Sequence, residues 1–267
     1  MGFENYTYIR PDLEAVTKKF NSAIESLKNA ATLEEQNRVM NEINKLRNDL
    51  GTMFNLCYIR HSIDTNDEFY KEEQDYMDEI QPEVEGLVTK YYQVLVNSKF
   101  RPELEEKWGK QLFALAEGQL KTFKPEIVPL LQKENRLSTE YTKLMASAKI
   151  DFEGEERTLA QLEPFAQSTN REMRKRANEA KFGFMDEHEE EFDIIYDDLV
   201  KVRTEIAQTL GFKNFVELGY YRMMRTDYNA EMVAHFRIQV KDYIVPIATK
   251  LKTRQQERIG LEKLKYY

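Results

Sequence analysis

Apolar residues return every three or four positions along most of the chain, a spacing that predicts long amphipathic helices. Leu13, Val16, Phe20, Ile24 and Leu27 share one face behind a helix opening at Pro11-Asp12, where proline's missing N–H costs nothing in a first turn. After Asn29-Ala30-Ala31, the run Thr32-Leu33-Glu34-Glu35 has capping-box spacing and starts a second helix. Along it Val39, Ile43, Leu46, Leu50, Met53 and Cys57 form a coiled-coil-type seam, and the short connection predicts an antiparallel hairpin. Thr65-Asn66-Asp67 breaks the pattern. A third helix carries Phe69, Glu73, Tyr76, Ile80, Val84, Leu87, Tyr91 and Leu95 on one side, and Pro82 within it predicts a kink or short break. Arg101-Pro102 punctuates again, followed by helical stretches around Trp108 to Phe123 and Pro125 to Met145.

The period changes once. Lys149 to Glu153, Gly154, then Glu155 to Leu159 alternate about a glycine and predict a small β-hairpin near 149–159. A helix from about Asn170 to Leu210 then carries Phe184, Phe192, Ile195, Leu199, Val202, Ile206 and Leu210 and ends at Gly211. The last helix, from about Asn229 to Ile259, carries Met232, Phe236, Val240, Ile244, Ile247 and Leu251 and stops at Gly260. The apolar-rich run Leu261 to Tyr267 has nothing left to pack on and reads as a truncation. The fold class is therefore all-α: long antiparallel helices with one small β-hairpin. A weak boundary between Lys121 and Lys124 separates an N-terminal helical hairpin region, 1–123, from a helical region with the β-hairpin, 124–267.

Composition agrees with long elements, since 10 Gly and 7 Pro in 267 residues allow few turns. A net charge of −8 repels phosphate backbones, so no nucleic-acid partner is expected. The single cysteine, Cys57, cannot form an internal disulfide, which favours a reducing compartment and a cytoplasmic location. The N-terminus lacks the basic start and apolar run of a signal peptide, and its Met-Gly opening fails the myristoylation pattern because Tyr6 stands where Ser or Thr is needed. No run reaches the roughly 18 apolar residues of a membrane span, so no membrane partner is expected.

Candidate chemistry is sparse. His188-Glu189-Glu190-Glu191-Phe192 misses the HExxH zinc motif at its fifth position, leaving one imidazole where two are needed one helical turn apart. His61 and His235 have no ligand partner at helical spacing; the first reads as decorating a helix end, the second a helix flank. Carboxylate pairs such as Glu34/Glu35, Glu72/Glu73 and Asp197/Asp198 read as ordinary polar faces, and Cys57 as core. No phosphate-binding glycine loop or nucleophile elbow is present. No catalytic and no metal-ligating residue is assigned. The connector Tyr220 to Tyr228 is more informative: Tyr220, Tyr221, Arg225 and Tyr228 are candidate peptide-contacting residues, with the stapling of two long helices as the bland reading.

Several segments in order carry a family resemblance: Asp151-Phe152-Glu153-Gly154-Glu155, Arg174-Lys175-Arg176-Ala177, Leu199-Val200-Lys201-Val202-Arg203, Leu210-Gly211-Phe212, Arg225-Thr226-Asp227-Tyr228 and Ile244-Val245-Pro246. Together they resemble the oligoendopeptidase F-type zinc metallopeptidases (the thimet-oligopeptidase family), over essentially the whole chain and most sharply from Leu137 to Tyr267. The resemblance implies a helical shell around a deep channel with zinc at its floor, cleaving short, unstructured peptides. This chain would supply the N-terminal wall and roof of that zincin-type oligopeptidase shell. The family's HExxH, its further Glu ligand and its Tyr and His residues have no counterpart here. The resemblance therefore implies the N-terminal segment of a zinc metalloendopeptidase, leading into a missing C-terminal catalytic part. Zinc and oligopeptides would belong to the complete enzyme, and this chain alone would bind no zinc and be inactive. The alternative is an acidic all-α scaffold or a peptide- or protein-binding module without catalysis.

Overall fold

Asp12 rather than Pro11 starts the first helix. Its carboxylate accepts the Ala15 N–H at 3.0 Å, and α1 runs Leu13–Asn29, with Pro11 just outside the first turn. The computed structural model describes residues 5–267; Met1 to Glu4, with the Met-Gly opening, lie outside the described residues. Thr32 and Glu35 close the predicted capping box, and α2 runs Leu33–Ile63. α3, Glu68–Val96, is capped by Asp67.

Pro82 does not break α3. Proline removes the N–H that would bond the Asp78 carbonyl four residues back. Asn135 Nδ2 donates to that carbonyl at 3.1 Å, and Gln132 Nε2 donates to the neighbouring Glu79 carbonyl at 2.9 Å, so the orphaned acceptor is satisfied. The break expected at Arg101-Pro102 is instead a helix start. α4, Arg101–Trp108, takes Pro102 in its first turn, and Gly109, at φ +87°, joins it to α5, Lys110–Gln119. α6, Val128–Ala146, follows a 3₁₀ turn at Pro125–Ile127.

The chain divides into two units. The first takes residues up to Ser147 together with Glu190–Thr226. Its main core joins the predicted seams: Phe20, Ile24 and Leu27 of α1, Val39, Met40 and Ile43 of α2, and Leu87, Tyr91 and Leu95 of α3. Contacts pairing residue 47 with 92, 57 with 74 and 60 with 70 show that α2 and α3 run antiparallel. Phe69, expected on the buried face of α3, is exposed because it lies in the first turn of the helix.

The second unit comprises Ala148–Glu189 and Asp227–Tyr267. β1, Ile150–Phe152, pairs antiparallel with β2, Glu155–Arg157, across Glu153 (φ +54°) and Gly154 (φ +82°), the two left-handed residues a tight hairpin turn requires. Phe152 packs with Leu162 and with Ala177 of α8, Arg171–Glu187. A short α7, Glu163–Ala166, lies between.

The helix expected from Asn170 to Leu210 is two. α8 ends at Glu187, and α9, Glu189–Thr209, begins after His188, whose ring lies 4.5 Å from that of Phe184 one turn earlier. Apolar spacing runs straight through this joint and so does not reveal it. α9 ends as predicted at Gly211 (φ +93°), with Phe212 N–H bonded to Ala207 O at 2.9 Å and Gly211 N–H to Gln208 O at 3.0 Å, a Schellman cap. Running into the tyrosine connector is an unforeseen helix, α10, Phe215–Arg222, capped by Asn214 Oδ1 on Val216 N–H at 2.9 Å.

The last predicted helix is also interrupted. α11, Ala230–Gln239, passes through a π turn, Val240–Ile244, into α12, Val245–Arg258, ending before Gly260 at φ +67°. Pro246 explains the wide turn, since in a regular α-helix its ring would meet the Asp242 carbonyl. The stripe expected to be core is not buried: Met232, Phe236, Ile244, Ile247 and Leu251 are exposed. Among the described residues, no helix is long and apolar enough to cross a membrane.

Candidate functional site

The faces of α2 and α3 that meet in the core close only in part. Beyond the buried seam, Arg47, Gly51, Phe54 and Tyr58 of α2 face Met77, Gln81, Glu85 and Val88 of α3 across an open groove of about 720 Å³. Leu115 of α5 and Tyr221 of α10 form its far wall. At one end Arg47 Nη2 donates to Tyr92 Oη at 2.9 Å. Among the described residues Glu85 is the sole carboxylate lining the groove; burial pushes its carboxyl up from the ordinary range, Arg222 opposes that shift and Glu134 adds to it.

A crevice of about 240 Å³ shares Leu115, Tyr221 and Met224 with the groove and adds Lys121 and Arg225. The candidate peptide-contacting residues fall here in part. Tyr221 lines both spaces, and its hydroxyl accepts from Lys121 Nζ at 3.0 Å. Tyr220 lies beneath the Arg225 guanidinium, 4.8 Å from ring centroid to Cζ, a cation–π stack. Tyr228 belongs to the second unit.

The partners of three buried carboxylates escape sequence reasoning. Glu134 of α6 accepts from Arg203 of α9 at 2.7 Å and pairs with Arg222 of α10 at 2.9 Å, both guanidiniums lying 5.7 Å from the Phe215 ring. Glu73 takes hydrogen bonds from the Tyr8 hydroxyl and from Arg10 Nε at 2.8 Å. Burial pushes the Glu73 carboxyl up, but these bonds and the Arg10 charge outweigh it and hold it below the usual range. Asp78 accepts from Thr139 at 2.6 Å and Gln74 at 2.9 Å, yet burial without a cation in contact pushes it up. The one available signal is a glutamate at position 73 within an otherwise apolar stripe; the partners lie more than sixty residues away.

The matching family model is that of the Peptidase M3 N-terminal domain, over residues 3–123. Among solved structures, the chain superposes along its whole length on PZ peptidase A, bound to an inhibitor, with 66% identity and a TM-score of 0.94. It superposes equally on two proteins assigned as oligoendopeptidase F: one at 60% identity and TM-score 0.95, and one from Bacillus anthracis at 63% and 0.94. This chain is similar along its whole length to the oligoendopeptidase F-type M3 peptidases. It spans 47–49% of the length of those structures and corresponds to their N-terminal part. None of the curated proteins matches it.

Most of the segments that carry the resemblance to oligoendopeptidase F have structural roles here. Arg176 Nη1 pairs with Glu153 at 2.7 Å, joining the first two segments in the second unit, where Phe152 and Ala177 share a core. Arg203 holds Glu134, Gly211 caps α9, and Thr226 Oγ1 accepts from Gln111 at 3.0 Å. Zinc ligands are another matter. His188 caps α8 with its ring against Phe184, His235 is exposed on α11, and His61 is buried in the last turn of α2 rather than decorating it. Burial and the charge of Lys143 lower the His61 pKa. Among the described residues no three His, Cys, Asp or Glu side chains come together to hold a metal ion, and no step is assigned to zinc.

Proposed function

We propose that this chain is the N-terminal wall of a zinc-dependent oligopeptidase that hydrolyses internal bonds of short peptides. The supporting observation is full-length superposition, at 60–66% identity, on oligoendopeptidase F-type structures of which it spans about half. In this reading the zinc, its ligands and the water-activating glutamate come from polypeptide outside the matched span. The chain itself lines the channel that admits unfolded peptides, with Tyr220, Tyr221 and Arg225 as peptide contacts. The exposed apolar face of α11 and α12 is the surface the catalytic part covers. The buried free thiol of Cys57 supports a cytoplasmic location.

The test is a fusion of this chain to the part of a matching oligoendopeptidase F that it does not span. With an internally quenched oligopeptide and zinc determined by mass spectrometry, the fusion should bind zinc near equimolar and cleave. The 267-residue protein alone should do neither. A folded, zinc-loaded fusion without turnover, or turnover by the chain alone, overturns the proposal.

A further inference from the structure

We propose that the groove between α2 and α3 receives a basic side chain of a peptide, its cation bound by Glu85 between the aromatic walls. The ligand class rests on the oligopeptidase reading above; the cation chemistry rests on the groove alone. Two charged residues line the groove, and only one is engaged there. Arg47 donates to Tyr92 Oη at 2.9 Å and to Asn44 Oδ1 at 3.4 Å. The Glu85 carboxylate makes no side-chain hydrogen bond among the described residues, and the cation whose charge reaches it, Arg222, is already paired with Glu134 at 2.9 Å. Its burial without a direct partner, which raises its pKa, is the state an incoming cation would relieve. Phe54 and Tyr58 supply aromatic faces of the kind on which lysine and arginine rest, whereas Tyr92 and Tyr221 already lie under Arg47 and Lys121.

Gly51 is a second, independent mark. It lies inside α2 on the groove side, where glycine weakens a helix, and a Cβ built on it meets nothing within 4 Å. Gly86 of α3 differs: a Cβ there would come 3.1 Å from the Phe123 ring, so packing requires its absence. Packing does not require Gly51. What its missing side chain does is widen the groove. From Arg47 to Tyr58 the groove runs about 16 Å along α2, room for about five extended residues.

The test uses a five-residue, N-acetylated, dye-labelled peptide with a central arginine flanked by leucine and phenylalanine, and the same peptide with glutamine there. Binding to the 267-residue protein is read by fluorescence anisotropy. The arginine probe should bind about tenfold tighter or better, the scale of a charge-assisted hydrogen bond. Glu85→Gln should bring the two probes to within about twofold of each other, because the preference resides in that charge. Gly51→Leu should weaken both by about tenfold or more by filling the groove, while circular dichroism and thermal stability hold. An arginine preference that survives Glu85→Gln, binding unchanged in folded Gly51→Leu, or no binding of either probe overturns the proposal. Cleavage by the fusion described above, with the arginine preference unmoved by Glu85→Gln, sinks the groove and leaves the peptidase. Groove binding beside a fusion that cleaves nothing does the reverse.

Discussion

Glu73 stands 3% exposed on a face of α3 that also carries Met77 and Ile80, and a bare carboxylate there would be costly. Tyr8 and Arg10 compensate it and in doing so tie the segment before α1 to α3. Because its folded carboxyl titrates below the ordinary value of 4.5, the contribution is full above that value and lost as pH falls through the depressed one. Glu73→Gln should therefore cost about 1–2 kcal/mol of unfolding free energy at pH 7. In urea titrations the gap to wild type should close as pH falls below 4.5 and through the depressed value. The position of Glu73 on the buried face is readable in the sequence from helical spacing alone. Its partners are not, since nothing local marks a tyrosine and an arginine more than sixty residues upstream. Gly86 is equally opaque: Gly86→Ala should lower the thermal midpoint against the Phe123 ring, whereas Gly51→Ala should raise it.

Helices divide into those whose spacing tells everything and those with hidden joints. The seams of α1 and α2 fall where the three-four spacing puts them, because each helix buries one continuous stripe. Pro82, Pro102 and Pro246 show why the same residue misleads elsewhere. Whether proline breaks, starts or widens a helix depends on what meets the carbonyl it orphans. At Pro82 that group is Asn135, so Asn135→Ala should cost about 1–3 kcal/mol, the penalty of a stranded buried acceptor. Chemical denaturation measures it directly. At Pro246 the backbone yields into a π turn. α11, the π turn and α12 bury no residue, so their amides should exchange with deuterium far faster than those of α2 and α3.

At the scale of the molecule, the first unit is built around three buried clusters, while the second has one small core under its hairpin. The exposed row Met232, Phe236, Ile244, Ile247 and Leu251 is regular enough to be read as core from sequence, because spacing reports which residues share a face and not what covers it. That row should bind a hydrophobic dye and drive concentration-dependent association in light scattering. Replacing Ile247 and Leu251 together by arginine should abolish both without loss of helicity. The groove stayed unseen for the complementary reason: its lining alternates with core residues on the same two helices.

Glu134 also bears on the order in which the chain can fold as it is made. Its cations arrive 69 and 88 residues later, on Arg203 and Arg222, and until both have been synthesised α6 carries an acid whose side chain ends only 6% exposed. The core of α1, α2 and α3 is completed by Leu104 of α4 and by Phe113 and Ala116 of α5, all made well before Arg203, but sealing α6 beneath α9 and α10 must wait for the ribosome to pass the second arginine.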